Sequence, residues 1–147
     1  MVGHDWYPML LFAHLGATFY MVGVIWFVQL VHYPLFAEVP DDRFVDYQEK
    51  NVRRTTFVVF PGMFVEIVCA LLLALDPATE QHFGLNLIAF GLLLGIWAST
   101  ALLQVPAHTV LGSGFNAEAH HRLVRTNWIR TVLWSVRGIL AIAMFRI

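Results

Sequence analysis

Long apolar segments alternate with short polar ones along the chain, and four of the apolar segments are almost free of charge. A helix needs about 20 consecutive apolar residues to cross the hydrocarbon core of a bilayer. The pattern therefore predicts an all-α integral membrane protein, a four-helix bundle in which residues 1–147 form a single transmembrane domain. The predicted spans cover about residues 6–31, 56–75, 83–104 and 127–145.

The connections between the spans carry most of the polar residues and the helix breakers. Residues 38–55 are predicted to form a loop, in which Asp41 and Asp42 are suited to cap a short interfacial helix. The second connection is short. After the third span, residues 112–114 (Gly-Ser-Gly) break the chain, and Asn116 has the position of an N-cap for a long last helix.

Composition agrees with a membrane location and narrows the partners. Hydrophobic residues make up 59% of the chain and charged residues 13%, whereas charged residues account for about 25% of a typical soluble domain. The net charge is −1 and the chain has no basic run, which argues against a nucleic-acid partner. The lipid bilayer is therefore the first expected partner.

The distribution of Lys and Arg predicts the orientation, because basic residues concentrate in the cytoplasmic loops of membrane proteins. The first and third connections carry six of them, whereas both termini and the second connection carry one, Arg146. Both termini are therefore expected on the outer side. The N-terminus lacks the basic region of a cleaved signal peptide, and a small uncleaved four-span chain fits a bacterial inner membrane. The six basic residues are Arg43, Lys50, Arg53, Arg54, Arg122 and Arg125.

Two charged residues lie inside the predicted spans at matching depth. Glu66 follows Arg54 by 12 residues and Arg137 follows Arg125 by 12, so each lies roughly 18 Å along its helix from the basic side. An isolated ion at this depth is costly, and such residues usually pair. We expect Glu66 to contact Arg137, either as a structural bridge between spans two and four or as a functional pair that relays a proton.

Polar residues also recur at helical spacing near the ends of the spans. Steps of three and four residues place side chains on one face of a helix, and these faces are expected to meet near the cytoplasmic side. His14 and His82 belong to an outer group. Trp97 and Trp134 lie deeper and either line a cavity for a flat apolar molecule or pack the core. The cytoplasmic cluster comprises Gln29, His32, Gln104, His108, His120, Asn127 and Arg130, with Arg53 and Arg54 nearby.

Seven histidines in so apolar a chain are the first indication of chemistry. Imidazoles from neighbouring helices are suitable ligands for iron, copper, zinc or haem. The alternatives are wetted interfacial residues and, for His14, a hydrogen-bonded interior histidine. Cys69 is the only cysteine, which excludes a cysteine cage. The cofactor stays open between haem, a His-bound transition metal and none. The candidate metal ligands are His14, His32, His108 and His120.

Two short motifs resemble those of the anthrone-oxygenase-like family of small four-span membrane proteins. Residues 104–108 read Gln-Val-Pro-Ala-His and residues 126–131 read Thr-Asn-Trp-Ile-Arg-Thr. The family has Val-Pro-x-Asn after span three and Trp-Asn-x-x-Arg-Thr at the start of span four, so His108 and the order Asn127-Trp128 depart from its pattern. The resemblance implies a four-span fold and an activity that converts anthrones to anthraquinones without a standard cofactor. A looser similarity to four-span haem proteins, the membrane protoporphyrinogen oxidase and copper-resistance D families, matches His14 with their histidine in span one.

The first functional hypothesis is a membrane oxidoreductase or oxygenase that acts on a hydrophobic aromatic or quinone-like substrate. This lipophilic small molecule would arrive from the lipid and bind with its polar end at the cytoplasmic cluster. The resemblance implies that Asn127 and Arg130 hold an oxygen of the substrate, while His108 or His32 serves as a base or a metal ligand. The candidate catalytic residues are His32, His108, Asn127, Arg130, Glu66 and Arg137, and the candidate substrate-binding residues are Gln29, Gln104, Trp97, Trp134 and Arg54.

Two further functions stay open. A haem-binding electron carrier needs two axial ligands at one depth, so His14 would require a partner such as His82. Alternatively, the chain is a non-catalytic membrane subunit or a transporter whose polar residues pack the bundle or line a path. A homo-oligomer is compatible with all three functions.

Overall fold

The structure, a computed structural model, describes residues 6–75 and 83–146, and every regular element within these ranges is helical. The all-α prediction is confirmed for this part of the chain. A π-helical turn, Val28–His32, and a 3-10 helix, Pro34–Glu38, follow the first helix, and a second π-helical turn, Thr100–Gln104, joins the third to the fourth. The α-helices are α1 (Trp6–Phe27), α2 (Asp41–Leu75), α3 (Phe83–Ser99), α4 (Val105–Leu111) and α5 (Ala117–Arg146).

Three helical segments are long and apolar enough to cross a membrane by length and composition, which supports an integral membrane location. The last helix, α5, contains the fourth predicted span but is not among them. It carries Arg130 and Arg137, which lower its hydropathy, and both side chains are buried in the protein. The three segments are Trp6–Glu38, Asp41–Leu75 and Phe83–Leu111.

The connection between the first two predicted spans is mostly helical, so the prediction of a loop at 38–55 is wrong. Helix α2 begins at Asp41 and continues without a break into the second predicted span. The chain has neither glycine nor proline between Asp41 and Pro61. Asp41 and Asp42 lie in the first turn, where carboxylates interact favourably with the helix dipole. The helix therefore carries the buried side chain of Gln48 to the same end of the protein as the π-helical turns.

The four long helices pack in a ring, since α1 contacts α2 and α5 while α3 contacts the same two helices. Gly62 lies where α2 crosses α1, and a Cβ there would lie 2.7 Å from the Met21 sulfur and 2.8 Å from the Tyr20 ring. A side chain at this position would therefore force Met21 and Tyr20 to shift, and glycine allows the close approach without a shift. The core between the helices includes Met21, Ile25, Leu93, Ile96 and Trp134.

The turn before α5 has the predicted cap. Asn116 Oδ1 accepts a hydrogen bond from the backbone N–H of Ala119 at 2.8 Å. Gly114, two residues earlier, has a φ of 141°, a backbone conformation that favours glycine. The chain thus reverses direction at Gly114 and starts a new helix at Ala117.

We expect Asn116→Ala to lower the free energy of unfolding by about 1 kcal/mol, because the Ala119 amide loses its side-chain acceptor. Reversible unfolding in detergent micelles, followed by circular dichroism, measures the change. Asn116→Asp keeps an acceptor oxygen and is the matched control, which should retain the stability of the unmodified protein. An equal loss in both variants would contradict the capping role.

Candidate functional site

Both π-helical turns lie at one end of the bundle, where the sequence predicts the polar cluster. A π-helical turn holds more residues than an α-helical one and frequently occurs at functional sites. The turn Val28–His32 contains the buried Gln29, and the turn Thr100–Gln104 ends at the buried Gln104. Gln104 Nε2 donates to the Thr126 hydroxyl at 3.1 Å, which ties the second turn to α5.

Arg130 of α5 is a buried cation within this cluster, only 6% exposed. Its Nε donates to Asn127 Oδ1 at 2.9 Å, its Nη2 to the Tyr33 hydroxyl at 3.1 Å and its Nη1 to Thr100 Oγ1 at 3.4 Å. Gln29 fixes Asn127 in turn, since Gln29 Oε1 accepts from Asn127 Nδ2 at 2.9 Å. None of the carboxylates that the structure describes forms an ion pair with Arg130 within 4.0 Å. Its positive charge therefore lacks an anion within this part of the protein.

The Tyr33 hydroxyl, beside Arg130, accepts two hydrogen bonds. Gln48 Nε2 donates to His108 Nδ1 at 2.9 Å, so neutral His108 carries its proton on Nε2 and donates it to the Tyr33 oxygen at 3.1 Å. Arg130 donates to the same oxygen. The hydroxyl hydrogen of Tyr33 is thus left for donation to a ligand.

His32 joins the same network through two amide side chains. Its Nε2 lies 2.7 Å from Asn51 Oδ1, and Asn51 Nδ2 donates to Gln48 Oε1 at 3.3 Å. Because Gln48 also donates to His108, side-chain hydrogen bonds connect the two imidazoles. The structure therefore brings together His32, His108, Asn127 and Arg130, four of the six candidate catalytic residues.

An interior cavity of about 470 Å³ lies beside this network, within the roughly 300–1,000 Å³ typical of small-molecule sites. Tyr33, His108 and Arg130 line its polar end, and Trp97 and Trp134 line its walls. Trp97 Nε1 is buried and has no hydrogen-bond partner among the described residues. The cavity thus combines aromatic residues along its walls with the Tyr33 hydroxyl hydrogen and the Arg130 guanidinium at its polar end.

The cavity opens at the side of the protein, between α2 and α4. Val52, Thr56 and Phe60 on α2 line the opening together with Val105 and Thr109 on α4, and all five side chains are exposed. A lateral opening with a mostly apolar rim suits a ligand that arrives from a lipid phase rather than from water.

A second space, a groove of about 350 Å³, is lined by α1 and α2. Its polar residues include His32 and Arg54, so the structure places Arg54, a candidate substrate-binding residue, at this groove and not at the interior cavity. Val28 and Thr55 line both spaces and lie in the wall between them. Of the other candidates, Gln104 lines the cavity. Gln29 is not among the lining residues, and its Oε1 accepts a hydrogen bond from Asn127.

Aromatic rings close the polar end of the bundle. Phe36 contacts Phe44 with ring centroids 6.3 Å apart, and Phe44 contacts Phe115 at 5.2 Å. His120 stacks on Phe36 at 6.3 Å, and its Nε2 donates to the Tyr33 carbonyl oxygen at 2.8 Å. His120 therefore holds the turn that follows the first π-helical segment.

The expected contact between Glu66 and Arg137 is present. Arg137 Nη2 lies 3.1 Å from Glu66 Oε1, and the two side chains are 1% and 0% exposed. Trp134 Nε1 donates to the second carboxylate oxygen at 2.8 Å, and Arg137 also donates to the Ala89 carbonyl. Both carboxylate oxygens thus have donors, and the pair joins α2, α3 and α5. This arrangement favours the structural bridge over the proton relay.

The four candidate metal ligands do not form a metal site. Within residues 6–75 and 83–146, no group of three or more His, Cys, Asp or Glu side chains is placed to hold a metal ion. His32, His108 and His120 use ring nitrogens for hydrogen bonds, whereas His14 is buried elsewhere on α1. His82, the second ligand that the haem hypothesis needs, lies outside the described residues. The haem hypothesis therefore stays a prediction.

Sequence reasoning missed three members of the network, Tyr33, Gln48 and Asn51. Tyr33 precedes a proline and resembles part of a helix breaker, and the two amides fall in the segment predicted as a loop. Their spacing is the signal that could have found them. Gln48, Asn51 and Thr55 follow one another at steps of three and four residues, which places them on one face of a helix.

Comparison with known proteins leaves the site to be interpreted from its own residues. No family model, curated protein or solved structure matches the chain. The cavity, the hydrogen-bond donors at its polar end and the charge of Arg130 are therefore the features that indicate a function.

Proposed function

We propose that the four long helices form a membrane bundle with both termini on the outer side of a bacterial inner membrane. The hydrogen bonds of His32 with Asn51 and of Gln29 with Asn127 hold the polar parts of α2 and α5 at the same end of the bundle. These parts carry the six clustered basic residues, which favours the cytoplasm for that end. The two buried arginines of α5 are compatible with a span because they face the interior of the bundle.

We propose that the protein is an oxidoreductase or oxygenase that acts on a hydrophobic aromatic or quinone-like substrate. The observation that carries the proposal is the laterally open cavity that ends at Tyr33, His108 and Arg130. Trp97, which is partly exposed, lines this cavity, and its ring suits packing against an aromatic ligand. The motifs that resemble the anthrone-oxygenase-like family lie on the same site, since they contain His108 and Arg130.

The polar end of the cavity supplies hydrogen-bond donors to an oxygen of the substrate. Tyr33 and Arg130 would contact that oxygen, with Asn127 positioning Arg130 and His108 positioning Tyr33. Donors directed at an atom that gains negative charge lower the barrier of the reaction. In the oxidation of a substrate methylene, molecular oxygen supplies the oxygen atom of the new carbonyl group, and its second atom leaves as water.

Oxygen uptake by detergent-purified protein tests the proposed activity. We expect uptake that depends on an anthrone or a polycyclic phenol, with the isotope of labelled molecular oxygen recovered in the product. Uptake should stop when the substrate is replaced by its fully oxidised quinone. If a panel of anthrones, phenols and quinols gives neither oxygen uptake nor oxidised product, the oxidoreductase proposal is wrong.

Thr56→Trp, at the lateral opening, should lower kcat/KM by about tenfold, equivalent to roughly 1.4 kcal/mol. The indole would narrow the route between α2 and α4, while kcat should change little because the reacting groups are untouched. Val68→Trp, at an exposed position further along α2, is the matched control and should behave as the unmodified protein. Equal kcat/KM values for the two variants would contradict the lateral route.

A further inference from the structure

The polar end of the cavity offers hydrogen-bond donors but few free acceptors. Arg130 has no ion-pair partner among the described carboxylates, and Tyr33 keeps its hydroxyl hydrogen. The amide oxygens on the wall are already used, since Asn51 Oδ1 and Gln104 Oε1 each accept from a neighbouring hydroxyl at 3.0 and 3.1 Å. A ligand that fits these walls must accept hydrogen bonds.

Arg130 adds a charge to this requirement. A guanidinium removed from water is stabilised only when an opposite charge or strong hydrogen bonds replace its hydration. Asn127, Tyr33 and Thr100 supply neutral acceptors to it. The carboxylate of Glu66 is engaged by Arg137. The anion that would complement Arg130 is therefore expected in the cavity, which Arg130 lines.

We infer that the cavity binds its ligand as an anion, a flat lipophilic molecule with one carboxylate or phenolate group held by Arg130 and Tyr33. The inference rests on the proposed function, from which the aromatic body of the ligand is taken. The negative charge of the ligand is what the inference adds. A neutral ligand of the same shape would leave the guanidinium without a counter-charge.

Two probes of one shape test the inference, anthracene-2-carboxylate and its methyl ester. Their fluorescence is titrated at neutral pH with the protein in nanodiscs of phosphatidylcholine. We expect the carboxylate to bind about 10- to 100-fold more tightly than the ester, as a hydrogen-bonded charge pair should provide. Arg130→Gln should abolish this preference. Arg125→Gln removes an exposed arginine of the same helix, and it should keep the preference.

A second variant tests the same point with Arg130 in place. Asn127 Oδ1 accepts from two nitrogens of the Arg130 guanidinium, so Asn127→Asp keeps an acceptor there and adds an internal negative charge. We expect this variant to fold and to bind the carboxylate no better than the ester. Equal affinities for the two probes in the unmodified protein would overturn the inference, and so would a preference retained in both variants.

The binding test and the activity test fail separately, because binding is measured without turnover. A preference for the carboxylate in a protein that oxidises nothing would support the anion site and refute the oxidoreductase. Oxidation of neutral substrates without any charge preference would support the oxidoreductase and refute the anion site. Phosphatidylglycerol added to the nanodiscs distinguishes two sources of the anion. If it displaces the carboxylate probe, the anion site takes a lipid headgroup and the inferred flat ligand is wrong, and if it does not, the site takes a free amphiphile as inferred.

Discussion

Glu66→Ala is expected to lower the free energy of unfolding by about 3–5 kcal/mol, because it leaves a buried charge without its partner. Arg137 is 1% exposed and its Nε and Nη2 both donate to Glu66 Oε1, at 3.3 and 3.1 Å. The same substitution removes the acceptor of the Trp134 indole. Unfolding in mixed micelles of increasing sodium dodecyl sulfate content, followed by tryptophan fluorescence, measures the loss.

A double variant distinguishes the loss of the Glu66–Arg137 ion pair from the general cost of a substitution in the core. Glu66→Met combined with Arg137→Met removes both charges and fills similar volume, so it should recover most of the lost stability. Glu49→Ala, which removes an exposed carboxylate from the same helix, should change stability by no more than about 0.5 kcal/mol. Unchanged stability in Glu66→Ala would contradict the buried bridge. Loss of turnover in a stable double variant would restore the proton relay.

The bridge shows which part of the site could be derived from the sequence. An α-helix rises by a constant amount per residue, so equal separations of 12 residues from Arg54 and Arg125 were enough to place Glu66 and Arg137 at one depth. The cap at Asn116 followed from an equally local signal, a polar residue after a glycine-containing turn. Both features depend only on the geometry within one helix or one turn, and that geometry is regular.

Other parts of the site depend on irregular geometry, which spacing does not reveal. The two π-helical turns shift the register of the residues that follow them, so the faces on which Gln29 and Gln104 lie cannot be read from an α-helical period. Tyr33 lies just after the first of these turns, and its role arises from contacts with α4 and α5. Residue types also indicate which chemistry is possible, but they do not indicate which contacts the side chains make. The histidines suggested metal ligands, but His108 uses both ring nitrogens for hydrogen bonds.

Tyr33→Phe is expected to lower kcat of the proposed oxidation by about 10²–10³-fold, the effect of removing one donor from an oxygen that gains charge in the transition state. The Tyr33 oxygen is fixed by His108 and Arg130, both at 3.1 Å, so its remaining hydrogen is held ready for the substrate. KM should change much less, because the apolar walls of the cavity are intact. Steady-state oxygen uptake over a range of substrate concentrations separates the two parameters.

A double variant tests whether His108 acts by holding Tyr33. If His108 acts by holding Tyr33, the double variant Tyr33→Phe with His108→Gln should be no slower than Tyr33→Phe alone, since residues that act as a unit give non-additive losses. Tyr20→Phe is the matched control, because the Tyr20 hydroxyl donates to the Val58 carbonyl at 3.0 Å and lies at an exposed position. Additive losses would show that His108 contacts the substrate itself, and an unchanged kcat in Tyr33→Phe would exclude Tyr33 from the reaction.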